Sequence, residues 1–87
     1  MMQPPQDQAI LRLLQDRDGV ATEVTLHDGT SLTVFNIAWG YDMGDVYAHV
    51  TTNISPDVEG ACIDFFFTDA VRVIADPASG AVLLRPS

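Results

Sequence analysis

The sequence predicts a mainly β domain: an N-terminal α-helix followed by a five- or six-stranded, strongly bent antiparallel sheet that closes into a small barrel. Three observations lead there. The hydrophobic period changes from 3.6 to 2 just beyond Gly19. Turn signals then recur at short intervals to the end of the chain. And 87 residues supply too little sheet to fill two separate layers, so one sheet must bend over its own core, with the helix covering an open end.

The elements follow in order. Residues 1–5 read as a leader ending in Pro4-Pro5, where proline suits a helix start because its missing N–H has no partner there. Over residues 6–17, Ala9, Ile10, Leu13 and Leu14 recur at helical spacing, Leu11 widens the stripe, and Gln8, Arg12 and Gln15 lie on the wetter side. A helix this short needs packing to persist, and Gly19 is its stop signal.

From residue 20 to 85 the pattern is that of the barrel. Val20, Thr22, Val24 and Leu26 alternate with Ala21, Glu23, Thr25 and His27, and His27-Asp28-Gly29 supplies a hairpin turn. Thr30 to Trp39 forms a second strand with Leu32, Val34 and Ala38 on one face and Phe35, Ile37 and Trp39 on the other. A bend in its later half would swap the faces and turn a barrel corner. After the loop Gly40-Tyr41-Asp42-Met43-Gly44-Asp45, a third strand carries Val46, Ala48, Val50, Thr52 and Ile54 on one side. The fourth strand, Ala61 to Thr68, places Ile63, Phe65 and Phe67 toward the core and Cys62, Asp64 and Phe66 away from it. Thr68-Asp69-Ala70 makes a tight turn into Val71-Arg72-Val73-Ile74, and the turn Asp76 to Gly80 returns a short last strand.

Composition narrows the function. One domain, 1–87, carries four Arg, no Lys and twelve acids, a formal charge of −8. Nucleic acid and anionic membranes both demand clustered cations. No apolar run approaches the roughly 20 residues of a membrane helix. The N-terminal residues lack the basic and apolar stretches of a secretory signal, and Cys62 is the sole cysteine, so a reducing cytosol is the expected compartment and no disulfide is possible.

The helix, the Leu26-His27-Asp28-Gly29 hairpin, the Asp42-Met43-Gly44-Asp45 loop, and the Ile63–Phe67 and Val71–Ile74 strands together resemble the Sm-like family of small SH3-type barrels over residues 6–75. That resemblance implies a ring in which the fourth strand of one subunit pairs with the fifth of the next, and single-stranded RNA binding at the loops. This chain departs from the family where RNA is bound. Gly44 or Asp45 stands at the usual Asn position, and Thr68-Asp69 replaces the basic residue and glycine that follow the fourth strand.

Three sets of residues are candidates for function. Trp39, Tyr41, Asp42 and Asp45 combine aromatic rings with carboxylates around Gly40, a pattern that stacks a planar ligand or anchors a partner. Phe66, with Ile37 and Ile74, is expected on a second, apolar exterior face, the mark of an oligomer interface. Asp42, Asp45 and His49 offer carboxylate and imidazole ligands, although four strand residues span about 13 Å and keep Asp45 from His49. Cys62 with His27 or His49 lacks the glycine-rich elbow and third group of a nucleophilic site, and Asp64 is expected to pair with Arg72. No metal or cofactor is expected. The leading reading is a non-enzymatic, homo-oligomeric interaction or scaffold module. An Sm-like RNA-binding protein and a small metal-dependent enzyme are its alternatives.

Overall fold

The computed structural model describes residues 5–41, 43–44, 47–54 and 63–86. Helix α1 (Pro5–Asp16) precedes β1 (Thr22–Leu26), β2 (Ser31–Val34), β3 (Ile37–Gly40), β4 (His49–Thr52), β5 (Phe65–Phe67), β6 (Val71–Ala75) and β7 (Val82–Leu84). The strands form two antiparallel sheets, one in the order β2-β1-β6-β7 and one in the order β3-β4-β5.

The helix forms as its periodicity dictates. Ile10, Leu11 and Leu14 are buried while Gln8, Arg12 and Gln15 stay exposed. It ends at Asp16, and the turn that follows closes at Gly19, whose φ of +82° is open to glycine at little cost. The Gly19 N–H then donates to the Phe35 carbonyl at 2.7 Å, which aims the chain onto the sheet. Arg17, in the turn after the helix, fastens this junction. Its Nε donates to Thr22 Oγ1 at 2.7 Å and its Nη2 to the Ala21 carbonyl at 3.0 Å, with the Asp76 carboxylate 3.7 Å away. Helix end, first strand and last hairpin thereby share one guanidinium.

In the four-stranded sheet, β1 sits between β2 and β6. Thr22, Val24, Leu32, Val34, Val71 and Ile74 turn inward, and Glu23, Ser31 and Thr33 face water. The Asp28-Gly29 turn forms as expected: Gly29 takes φ +92°, and the Leu26 N–H donates to the Thr30 carbonyl at 2.8 Å. Asp28 Oδ1 accepts the Thr30 N–H at 2.9 Å. That bond, with the Thr30 hydroxyl, holds the Asp28 carboxyl below its ordinary range. The expected turn after Asp76 is present too, closed by Gly80 N–H to Asp76 O at 2.7 Å.

The stretch expected as one strand, Thr30 to Trp39, is two. It breaks at Phe35-Asn36, and β2 and β3 belong to different sheets. The break also reverses the inward side. Leu32 and Val34 point into the core from β2, whereas in β3 it is Ile37 and Trp39 that lie opposite inward-facing Thr52 and Val50. Two asparagines build this corner. The buried Asn53, at φ +58°, accepts the Phe35 N–H at 2.7 Å through Oδ1 and donates from Nδ2 to the Thr33 carbonyl at 2.9 Å. Asn36 accepts the Asn53 N–H at its carbonyl and the Ile54 N–H at Oδ1, both at 2.7 Å. Each amide satisfies backbone groups that the break in the ladder would otherwise strand without water.

The fourth strand corrects the expected facing. Phe66, expected outside, is 4% exposed in the core, and Phe65 and Phe67, expected inside, are 58% and 37% exposed. The pairing register decides this: Phe66 lies opposite the fully buried Val50, and residues directly opposite share a face. Ile74 is likewise wholly buried, and Ile37 is half-buried against the same core. None of the three therefore presents the exterior surface expected of it.

Candidate functional site

The sheet β3-β4-β5 has an outer face assembled from alternate residues of each strand. Ala38 lies beside Thr51 and Thr51 beside Phe65; Gly40 lies beside His49 and His49 beside Phe67. The His49 ring stacks on Phe65 at 5.9 Å with 19° between planes and meets Phe67 edge-on at 6.5 Å. Phe65 and Phe67 meet each other at 5.4 Å, nearly perpendicular. Gly40 lies against the imidazole, where a Cβ would meet its Cε1 and Nε2 at 3.5 Å, an ordinary van der Waals contact. Ile63, on the same side by strand alternation, is 71% exposed. Not one of these seven positions carries a carboxylate, in a chain of net charge −8.

The strand bearing this row is also an edge. Thr68 N–H donates to Ala48 O at 3.0 Å and Thr52 N–H to Asp64 O at 2.8 Å. Antiparallel ladders bond at alternate residues, so residues 64, 66 and 68 direct their peptide groups toward β4. Both peptide groups of Phe65 and the N–H of Phe67 point to the open side, while the Phe67 carbonyl begins the 3-10 turn Thr68–Ala70. On the open side, no strand of the described residues pairs with β5.

The Trp39 group divides. Trp39 projects from the inward side of β3 at its free edge, 42% exposed, with its ring 6.1 Å from Tyr41 and perpendicular to it. Tyr41 packs on the core. Trp39, Leu11, Arg12, Leu13, Leu83 and Leu84 line much of an open groove of about 690 Å³ between helix and β7. Asp42, Asp45 and Cys62 lie outside the described residues. His49, the remaining proposed metal ligand, belongs to the aromatic face just described. Among the described residues no three His, Cys, Asp or Glu side chains gather as metal ligands. Asp64 bonds through its backbone to Thr52, its N–H donating to Thr52 Oγ1 at 2.9 Å. The ion pair made by the described residues is Arg17–Asp76 rather than Asp64–Arg72.

The ring contact implied by the family resemblance would use the outer edge of β6. That edge is taken at Ile74 and Ala75, where β7 pairs as a strand of the same chain.

Sequence reasoning missed two features of the structure. The aromatic row was hidden by a wrong choice of inward side, although three consecutive phenylalanines guarantee an outward ring whichever side is chosen. The Asn36–Asn53 corner was read as plain strand. Its available signal was asparagine, which tolerates positive φ better than other residues with side chains. No family model, curated protein or solved structure matches this chain. Among the described residues no helix is long and apolar enough to cross a membrane.

Proposed function

We propose that this chain is a non-enzymatic, homo-oligomeric interaction or scaffold module built on an SH3-type, Sm-like small barrel and working in the cytoplasm. The strand order supports the barrel. β2 and β3 are halves of one bent stretch, so β7-β6-β1-β2 and β3-β4-β5 follow one another around a shared core. The single observation that carries self-association is the uncharged aromatic row of His49, Phe65 and Phe67 on an outer sheet face. Burying a phenylalanine ring fully contributes about 2–3 kcal/mol, so two exposed rings on one strand are a strong incentive to associate. Light scattering at micromolar concentration tests the reading. A mass of twice 9.4 kDa or a higher multiple is expected, and a strict monomer overturns it.

Single-stranded RNA binding is the second reading, favoured by one observation: exposed Trp39 shares its groove with Arg12, an aromatic platform beside a cation. The charge of −8 opposes it. Oligouridine titration discriminates, because stacking persists at high salt while repulsion fades. Silence at both high and low salt removes this reading.

A further inference from the structure

We infer that two copies of this chain join edge to edge through β5, antiparallel about a two-fold axis at Phe66, making one sheet of β3-β4-β5 continued by the same strands of the partner. This inference rests on the self-association reading and names the contact that would serve it.

Three observations converge on a second copy as the occupant. The first is the free ladder. The Phe65 peptide groups and the Phe67 N–H face a side on which none of the described strands pairs, while 64, 66 and 68 are committed to β4. A partner strand centred on Phe66 sets Phe65 against the partner's Phe67 and Phe67 against the partner's Phe65. Both are hydrogen-bonded pairs: each Phe67 N–H meets the partner's Phe65 carbonyl, and each Phe65 N–H meets the partner's Phe67 carbonyl, which begins the 3-10 turn Thr68–Ala70 and offers its second lone pair. The second is self-complementarity. Residues 65–67 are identical, so reversal presents the same side chains, and each outward ring meets an outward ring across the junction. Such aromatic cross-strand pairs are a favoured means of sheet stabilisation. The third is charge. Copies carrying −8 each repel, and the outer face around β5 is where residues without a carboxylate gather: Ala38, Gly40, His49, Thr51, Phe65 and Phe67. Asp69, exposed just beyond the strand, is the flanking acid that a partner must approach.

The contact closes at two, because an isologous pairing consumes the same edge on both copies. The head-to-tail arrangement that joins β5 to β6 would need the outer edge of β6, already occupied by β7 at Ile74 and Ala75.

The test is sedimentation or light scattering of the full chain beside two variants, with amide hydrogen exchange. Phe67→Pro and Phe65→Pro each remove an N–H that points to open solvent, a position where an edge strand tolerates proline. The expected result is a wild-type dimer whose Phe65 and Phe67 amides exchange more slowly as concentration rises. Association should tighten as salt screens the acidic surfaces. Each proline variant should remain folded and associate about tenfold or more weakly, since two hydrogen bonds are lost per symmetric dimer. A wild-type monomer overturns both the contact and the self-association reading. An oligomer unchanged by both variants, without concentration-dependent protection of those amides, overturns the β5 contact alone. So does a ring of three or more. Should a proline variant misfold, amide exchange in the wild type decides the matter.

Discussion

The two sheets share a core yet present opposite exteriors. The outer face of β2-β1-β6-β7 carries exposed, polar Glu23, Ser31 and Thr33, with Thr25 Oγ1 3.3 Å from Ser31 Oγ, and exposed Val82 only at its far strand. The outer face of β3-β4-β5 carries Phe65, Phe67 and a stacked His49. Both meet the demand of a half-buried strand, one side dry and the other in water, but the second does so with aromatic rings where the first has hydroxyls and a carboxylate. The lesson is that inward packing makes the fold and does not choose the exterior. An aromatic exterior on an edge strand is the part of this molecule that inward packing alone does not account for.

The sharpest way to break that comparison is to exchange the roles of adjacent phenylalanines. Phe66→Ala should destabilise the chain by about 3–5 kcal/mol, the cost of emptying a core ring site. Phe65→Ala, measured on dilute protein, should shift stability by no more than about 0.5 kcal/mol. Urea unfolding of the two variants decides, and equal losses would erase the distinction between core and surface ring. The corner joining the sheets comes next. Asn53→Ala strands the Phe35 N–H and the Thr33 carbonyl and should cost about 2–3 kcal/mol. Asn53→Gly should cost less, by up to roughly 1 kcal/mol, because glycine accepts the positive φ. If glycine proves no better than alanine in the same unfolding experiment, backbone conformation has no part in the role of Asn53.

The smallest effect belongs to the polar sheet. The Thr30 hydrogen bonds hold the Asp28 carboxyl below its ordinary value, so their stabilisation is present above that value and fades as pH falls through the depressed one. Thermal melts should therefore separate wild type from Asp28→Ala near neutral pH and bring them together in acid. A gap that widens in acid would show the opposite linkage.

What could be read from the sequence follows the range of each interaction. The Asp28-Gly29 hairpin, the turn from Asp76 to Gly80 and the stripe of Ile10, Leu11 and Leu14 are local, so residue type and spacing suffice. The bend in the long second strand was visible because apolar residues switch sides after Val34. The inward side of β5 was not. Ile63, Phe65 and Phe67 outweigh Asp64 and Phe66 in a count of apolar residues, yet the face is set by pairing with Val50, sixteen positions earlier. Asn53 was obscure for the same reason, since its partners Thr33 and Phe35 lie 20 and 18 residues away. Of the candidate site, the existence of an apolar exterior followed from strand geometry, but its membership depended on that distant register.

The position of β7 has one more consequence. By lying along Ile74 and Ala75, the C-terminal hairpin acts as a cork in a strand whose release would let one molecule be threaded onto the next. A chain cut ahead of Asp76 would bare that flank while keeping β5 intact, giving each molecule two unlike sticky rims. Growth by such rims has no natural end point, so the same aromatic row that closes a pair would then feed an endless fibre.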